Sequence, residues 1–320
     1  LRDMLIESTY SSAERVFDTV LAEEADFLVL AGDILDAQLT GPRGPAFLVH
    51  QFQRLAEREI AVYWAGGRVD PPEAWPQTVR LPDNVHVFPL GRPESFLPQR
   101  EGMALARVLG AARVRGRPLR AKDFEPDAGG LFTIAVVHGK ADAAALEARE
   151  IHYWALGGSH TRQALFGAPH ASHTAHYPGT LQGRRPNETG PHGCTLVSVD
   201  EQQQVRIALL PTDRFRWHDE RIELHEPSNR ADLELRLRDR LHALAAAEPA
   251  TDLLACWTIV GGGPLAAAIR HGELGAELLA MLRHQARTEQ LPVWNVSLAA
   301  EPLAVLPTAW YEQETVLGDF

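Results

Sequence analysis

Apolar positions along this chain keep two rhythms. Over residues 1–25, Leu5, Val16, Phe17, Val20 and Leu21 recur at helical spacing, with acids and Arg15 on the other face, which predicts an amphipathic helix. The helix feeds Phe27-Leu28-Val29-Leu30-Ala31, a run with little alternation, as expected of a strand covered on both faces. A helix over 46–58 (Phe47, Leu48, Phe52, Leu55) and a strand over Ile60-Ala61-Val62-Tyr63-Trp64-Ala65 follow. Val85-His86-Val87-Phe88 predicts a further strand. Phe132 to Val137 predicts one that ends on His138, and an Ala-rich helix near 141–149 leads to a strand over Ile151 to Leu156. Strands alternating with helices in this way predict an α/β fold, β-sheets flanked by helices.

The pattern then changes. Pro, Gly, Thr, His and Arg dominate 166–193. Residues 194–200 and 205–210 alternate around a turn near 200–204 and predict a hairpin. Beyond it come a strand at 221–224, a charged amphipathic helix over 229–247 and a strand at 253–260. A Gly-Gly-Gly-Pro turn, helical periodicity over 265–286 and a strand at 293–298 complete the series. This second block predicts a small α+β unit with its boundary near 212–218. The expected plan is a main domain over 1–214, a capping domain over 215–305 and a tail over 306–320.

Composition narrows the picture modestly. Of 320 residues, 45% are hydrophobic and 23% charged, an ordinary globular balance. No run of eighteen apolar residues implies a membrane span. Cys194 and Cys256 stand far apart in no metal or redox spacing and read as reduced thiols of a cytoplasmic protein. A net charge of −11 opposes a general nucleic-acid coat. One window runs against it: Arg107, Arg113, Arg115, Arg117, Arg120 and Lys122 read either as a solvated face or as a phosphate-facing rim. The chain opens on Leu1 and both ends look cut, so a first strand is expected to precede residue 1.

Candidate chemistry gathers at three strand ends. Gly32-Asp33, His138-Gly139 and Gly157-Gly158-Ser159-His160 each place a metal-capable side chain beside glycine. A strand-end Asp after glycine can bridge two cations ~3.5–4 Å apart. His170, His173, His176 and His192 fit no helix face and no common zinc spacing, and read as loop histidines.

In that order the motifs resemble the calcineurin-like metallophosphoesterases, and among them the bacterial DNA-repair exonuclease branch of the SbcD and YhaO type. Leu30-Ala31-Gly32-Asp33 matches the family's Gly-Asp element, and Val136-Val137-His138-Gly139 its strand ending in His. Tyr153 to His160 sits where Gly-His-x-His should be. Tyr177 to Arg184, Glu188 to Cys194, Phe215-Arg216-Trp217-His218 and Thr315 to Phe320 continue the likeness. The resemblance implies a metallophosphoesterase-type layered sandwich with a cap. It implies Mn2+ or another divalent metal held by Asp33, His138 and His160, and Arg184 at the substrate. DNA, an SMC-like ATPase and a second copy of the chain in a homodimer are the implied partners, with no membrane.

Departures from the pattern set a further expectation. The family's Gly-Asn-His falls at Gly66-Gly67-Arg68, so a ligand oxygen is missing at Gly67 and Arg68 stands where the leaving oxygen would be protonated. Arginine keeps its proton near neutrality and cannot serve as a general acid. Its guanidinium could instead sit beside Asp33 in place of a cation. Gly158 replaces the first His of Gly-His-x-His, and Asp-x-His would precede Leu1. The expectation is a two-metal site that is incomplete, with no cation or one weakly bound, and weak or absent phosphodiester hydrolysis. The alternative is a non-catalytic binding or scaffold subunit for an SMC-like ATPase or nucleic acid.

Overall fold

The structure is a computed structural model that describes residues 2–117, 120–167, 171–225, 229–249 and 251–302. The tail assigned to 306–320, the Thr315–Phe320 match and His170 lie outside the described residues. The chain forms two compact units, one of Leu1–Arg184 with Pro191–Arg214, the other of Arg185–Gly190 with Phe215–Phe320.

The first unit begins with α1 (Arg2–Ala22), β1 (Phe27–Leu30), α2 (Ala37–Thr40), α3 (Arg43–Ala56), β2 (Ala61–Trp64) and β3 (Val85–Val87). β1, β2 and β3 form a parallel sheet in that order. Strand alternation divides its side chains between two cores. Val62 and Trp64 pack with Phe17 and Val20 of α1 and Leu48, Phe52 and Leu55 of α3. Tyr63 packs on the opposite side, with Phe27, Phe88 and Val136.

The second sheet is built from β4 (Glu94–Phe96), β7 (Arg107–Ala111), β8 (Thr133–His138), β9 (Tyr153–Gly157), β10 (Gln163–Phe166) and β11 (Thr174–Tyr177). A small hairpin of β5 (Gln99–Arg100) and β6 (Met103–Ala104) separates β4 from β7, and α4 (Ala143–Glu147) lies between β8 and β9. The strand order is β10-β11-β9-β8-β7-β4, parallel at the centre and antiparallel at both edges. All six residues of β8 are buried, which explains its unbroken apolar run. Ile134 and Val136 face the first sheet. Ala135 and Val137 face a second core with Phe124, Leu146 and Trp154. Trp154 is fully buried; a large apolar side chain so placed contributes about 1.5–3 kcal/mol. The hairpin of β12 (Gly193–Val199) and β13 (Val205–Pro211) adds Val197 and Ile207 to the inter-sheet core. The result is a layered α/β sandwich, two sheets face to face with helices outside.

In the second unit β14 (Phe215–Glu223), α5 (Arg230–Ala247), β15 (Asp252–Val260), α6 (Gly263–Arg270), α7 (Glu273–Thr288) and β16 (Val293–Ala300) follow in turn. The three strands are all parallel, ordered β14-β15-β16. Leu233, Leu237, Leu241 and Leu244 of α5 share one core with Trp257 of β15 and Leu278 and Leu282 of α7. The Asn229 side chain caps α5 by accepting from the Asp232 N–H. The single helical run expected over 265–286 is two helices, broken at Gly272, whose φ of 103° no continuing helix allows. No helix among the described residues is long and apolar enough to cross a membrane.

Candidate functional site

The ends of β1, β8 and β9 meet because three backbones approach closely there. β8 and β9 run parallel with His138 opposite Gly157. A Cβ on Gly157 would lie 1.7 Å from the Ala31 carbonyl oxygen, so only glycine lets β9 pass the exit of β1. Gly32 turns that exit with φ of +81°, and a Cβ there would lie 2.6 Å from the Gly67 Cα. Asp33 follows in the left-handed region at φ 56°, a conformation that costs a non-glycine residue on the order of 1 kcal/mol.

Asp70 holds that conformation in place. It is buried, and its two oxygens take four N–H donors: Asp33 N at 2.7 Å and Gly67 N at 2.7 Å on Oδ1, Ile34 N at 3.0 Å and Trp64 Nε1 at 3.0 Å on Oδ2. Each oxygen receives two bonds, which fills a carboxylate's acceptor capacity. The loop after β1 and the loop after β2 are thereby tied through one side chain. Asp33 returns the bond: its Oδ1 accepts from the main-chain N–H groups of Arg68 at 2.5 Å and Val69 at 2.9 Å.

His138 completes the knot. Its Nδ1 is 2.8 Å from the Ala31 carbonyl oxygen. A carbonyl only accepts, so Nδ1 carries the proton, and Nε2 is left toward Asp33 Oδ2 at 3.5 Å. The structure therefore brings Asp33 and His138 together. His160 is exposed in the loop after β9, with its backbone against Gly179; Ser159 Oγ next to it bonds Thr161 at both N and O. Arg184 is exposed beyond β11. Sequence leaves the Arg68 guanidinium either beside Asp33 or in solvent. In the structure the Arg68 side chain is exposed and forms no ion pair among the described residues, and the contact with Asp33 is made by its main-chain N–H.

The two glycines at ligand positions differ in kind. A Cβ at Gly67 would stand 2.5 Å from both the amide nitrogen and Oδ1 of Asp33, and 2.9 Å from His138 Nδ1. The space an Asn side chain would need is filled by the loop itself. Gly158 is exposed, with φ of +98° and its notional Cβ 3.1 Å from His138 Nε2, so position 158 stands over the open nitrogen of His138.

As a cation site this set is thin. Asp33 Oδ2 and His138 Nε2 could share one ion, while Asp33 Oδ1 and both oxygens of Asp70 already serve N–H groups. Among the described residues no group of three or more His, Cys, Asp or Glu side chains converges. The donors present do not fit a two-cation centre. Of the other histidines, His176 is buried on β11 with no hydrogen-bond partner for Nδ1 among the described residues, and His192 bonds Thr180.

Sequence missed the role of Asp70. The available signal was Gly66-Gly67-x-x-Asp70-Pro71-Pro72, an aspartate three residues after a glycine turn and locked by two prolines. That is where a short acceptor side chain commonly collects loop N–H groups.

No protein-family model matches the chain. It is similar to the uncharacterized metallophosphoesterase YhaO of Bacillus subtilis (strain 168), with 29% identity over 254 residues, 74% of this chain and 61% of the relative. The chain thus spans about three fifths of the length of the relative it matches. The likeness supports the metallophosphoesterase superfamily, and the layered sandwich described above is of the metallophosphoesterase type.

Proposed function

We propose that this chain is a metallophosphoesterase-like protein of the DNA-repair exonuclease type in which the two-cation centre does not assemble, so that phosphodiester hydrolysis is weak or absent. The observation that carries this reading is the filled space at Gly67. The main-chain N–H groups of Arg68 and Val69 occupy Asp33 Oδ1, an oxygen that a two-cation centre would need free. Asp33 and His138 are assigned as the residual cation ligands, His160 as a third only if the loop after β9 carries it to them, and Arg184 as a substrate contact. A divalent metal bound there would supply Lewis-acid chemistry. His138 would offer it Nε2, oriented by the Nδ1–H bond to Ala31, and Arg68 contributes through its main chain. DNA is the substrate this reading entails, with an SMC-like ATPase and a homodimer as the assemblies to look for.

The test is metal content by mass spectrometry together with hydrolysis of bis(p-nitrophenyl) phosphate in excess Mn2+. The expected result is less than one bound cation per chain and turnover no higher than that of Asp33→Ala. Two cations per chain with turnover abolished by Asp33→Ala would overturn the reading.

A further inference from the structure

His138 also lines a cleft of about 90 Å³, together with Arg113, Arg117, Arg120, Asp123 and Val137. We infer that this cleft binds the dianion of a phosphomonoester, or orthophosphate, through its arginines and without a metal.

Charge comes first. Three arginines and one aspartate line the cleft in a protein whose net charge is −11. None of the three has an ion pair among the described residues, although arginines elsewhere in the chain, such as Arg43, Arg54 and Arg240, are paired. The surplus of two positive charges matches a dianion. Planar guanidinium groups bind phosphate oxygens in pairs, which a lysine cluster would not do.

Position comes second. The Arg113 N–H donates to the Gly66 carbonyl at 2.8 Å, so the basic segment is tethered to the same loop that carries Gly67, Arg68 and Asp70. His138 lines the cleft and touches Asp33, so an anion held there would lie beside the knot at the strand ends. Size comes third. The space is on the order of a few water molecules, enough for one phosphate group. The acidic surface as a whole repels a long polyanion, which favours a terminal phosphate over a duplex lying across the cleft.

The inference goes beyond the proposed function and does not depend on whether a cation binds. Orthophosphate is titrated into the protein at low salt with EDTA present throughout, following the His138 imidazole signals by NMR. The expected result is a saturable shift with Kd in the millimolar range. The Arg117→Gln/Arg120→Gln double variant should weaken it on the order of tenfold, and dimethyl phosphate, a monoanion, should bind more weakly still. Arg117 and Arg120 are exposed, so this variant should fold, and Arg113→Gln provides an independent second variant. No saturable shift, an equal shift from chloride at matched ionic strength, unchanged affinity in both variants, or equal binding of dimethyl phosphate would each overturn the assignment.

Discussion

In the first unit the buried carboxylate of Asp70 meets four N–H groups. In the second, the buried carboxylate of Glu220 meets the Arg240 guanidinium at 2.5 and 3.0 Å and faces His218 at 3.7 Å, while Glu248 takes Arg216. Asp70 is solvated by oriented dipoles, and Glu220 is cancelled by opposite charge. Dipoles from four points of two loops fix backbone shape. An ion pair between β14 and α5 fixes the spacing of two elements but asks little of the backbone around it. The comparison explains how the left-handed turn at Gly32 and Asp33 is held: Asp70 binds the N–H of Asp33 from the neighbouring loop.

The most severe way to break the contrast is Asp70→Ala. It leaves the N–H groups of Asp33, Ile34, Gly67 and the Trp64 indole without an acceptor. The expected loss is about 3–5 kcal/mol in denaturant unfolding. Asp70→Asn, which keeps one acceptor oxygen, should lose roughly half of that. A loss under ~1 kcal/mol for Asp70→Ala would show that water replaces the carboxylate freely.

Acid separates the units by pH window. Burial on its own raises the Glu220 carboxyl, and the approach of His218 and Arg240 outweighs it, holding the pKa at about 2 against an ordinary 4.5. A depressed carboxyl stabilises the fold above 4.5 and loses that contribution as pH falls from 4.5 toward 2, about 3 kcal/mol in all. His176 in the first unit is lowered from 6.5 to about 4, by burial and then by the charge of Arg162. A base held neutral in the fold contributes fully above 6.5 and loses stability as pH falls from 6.5 toward 4, by a similar amount at most. Unfolding followed between pH 7 and 2 should show the first unit weakening before the second. His176→Gln should flatten the upper window alone and Glu220→Gln the lower. Simultaneous loss of both units above pH 5 in the His176→Gln protein would contradict this.

The layers were readable in sequence because β1, β2, β8 and β9 pack apolar side chains into a core on each face and show as unbroken apolar runs. Asp33 and His138 were readable as strand-end residues beside glycine. β4 was hidden because Glu94 and Ser95 at the sheet edge are exposed. β11 was hidden because Thr174 and His176, although buried, are polar and fall in a stretch rich in Gly, Pro and His. The basic window was one run in sequence. In the structure Arg107 lies on β7, 3.9 Å from Asp127, while Arg113, Arg117 and Arg120 line a cleft. Asp70 escaped because three of its four partners are main-chain N–H groups, which every residue carries, so the Gly-Gly-x-x-Asp-Pro-Pro turn marks an acceptor but not what it holds.

The smallest expected effect concerns the glycines. Gly67→Ala inserts a methyl group 2.5 Å from the Asp33 amide nitrogen, which Asp70 holds in place, so the loop must open. Such overpacking costs about 1–3 kcal/mol. Gly67→Asn, which restores the family's ligand type, should cost at least as much and raise metal content little, because its amide has to displace the N–H groups on Asp33 Oδ1 first. Gly158→Ala meets the tip of His138 at 3.1 Å and the Gly139 amide nitrogen at 3.3 Å on an exposed turn, contacts looser than those at Gly67, and its main cost is the left-handed backbone at φ +98°, on the order of 1 kcal/mol. Melting curves for the two alanine variants give the ordering. If Gly158→Ala proves the more damaging, the loop after β9, and not the Asp33–Asp70 knot, is the rigid part of the site.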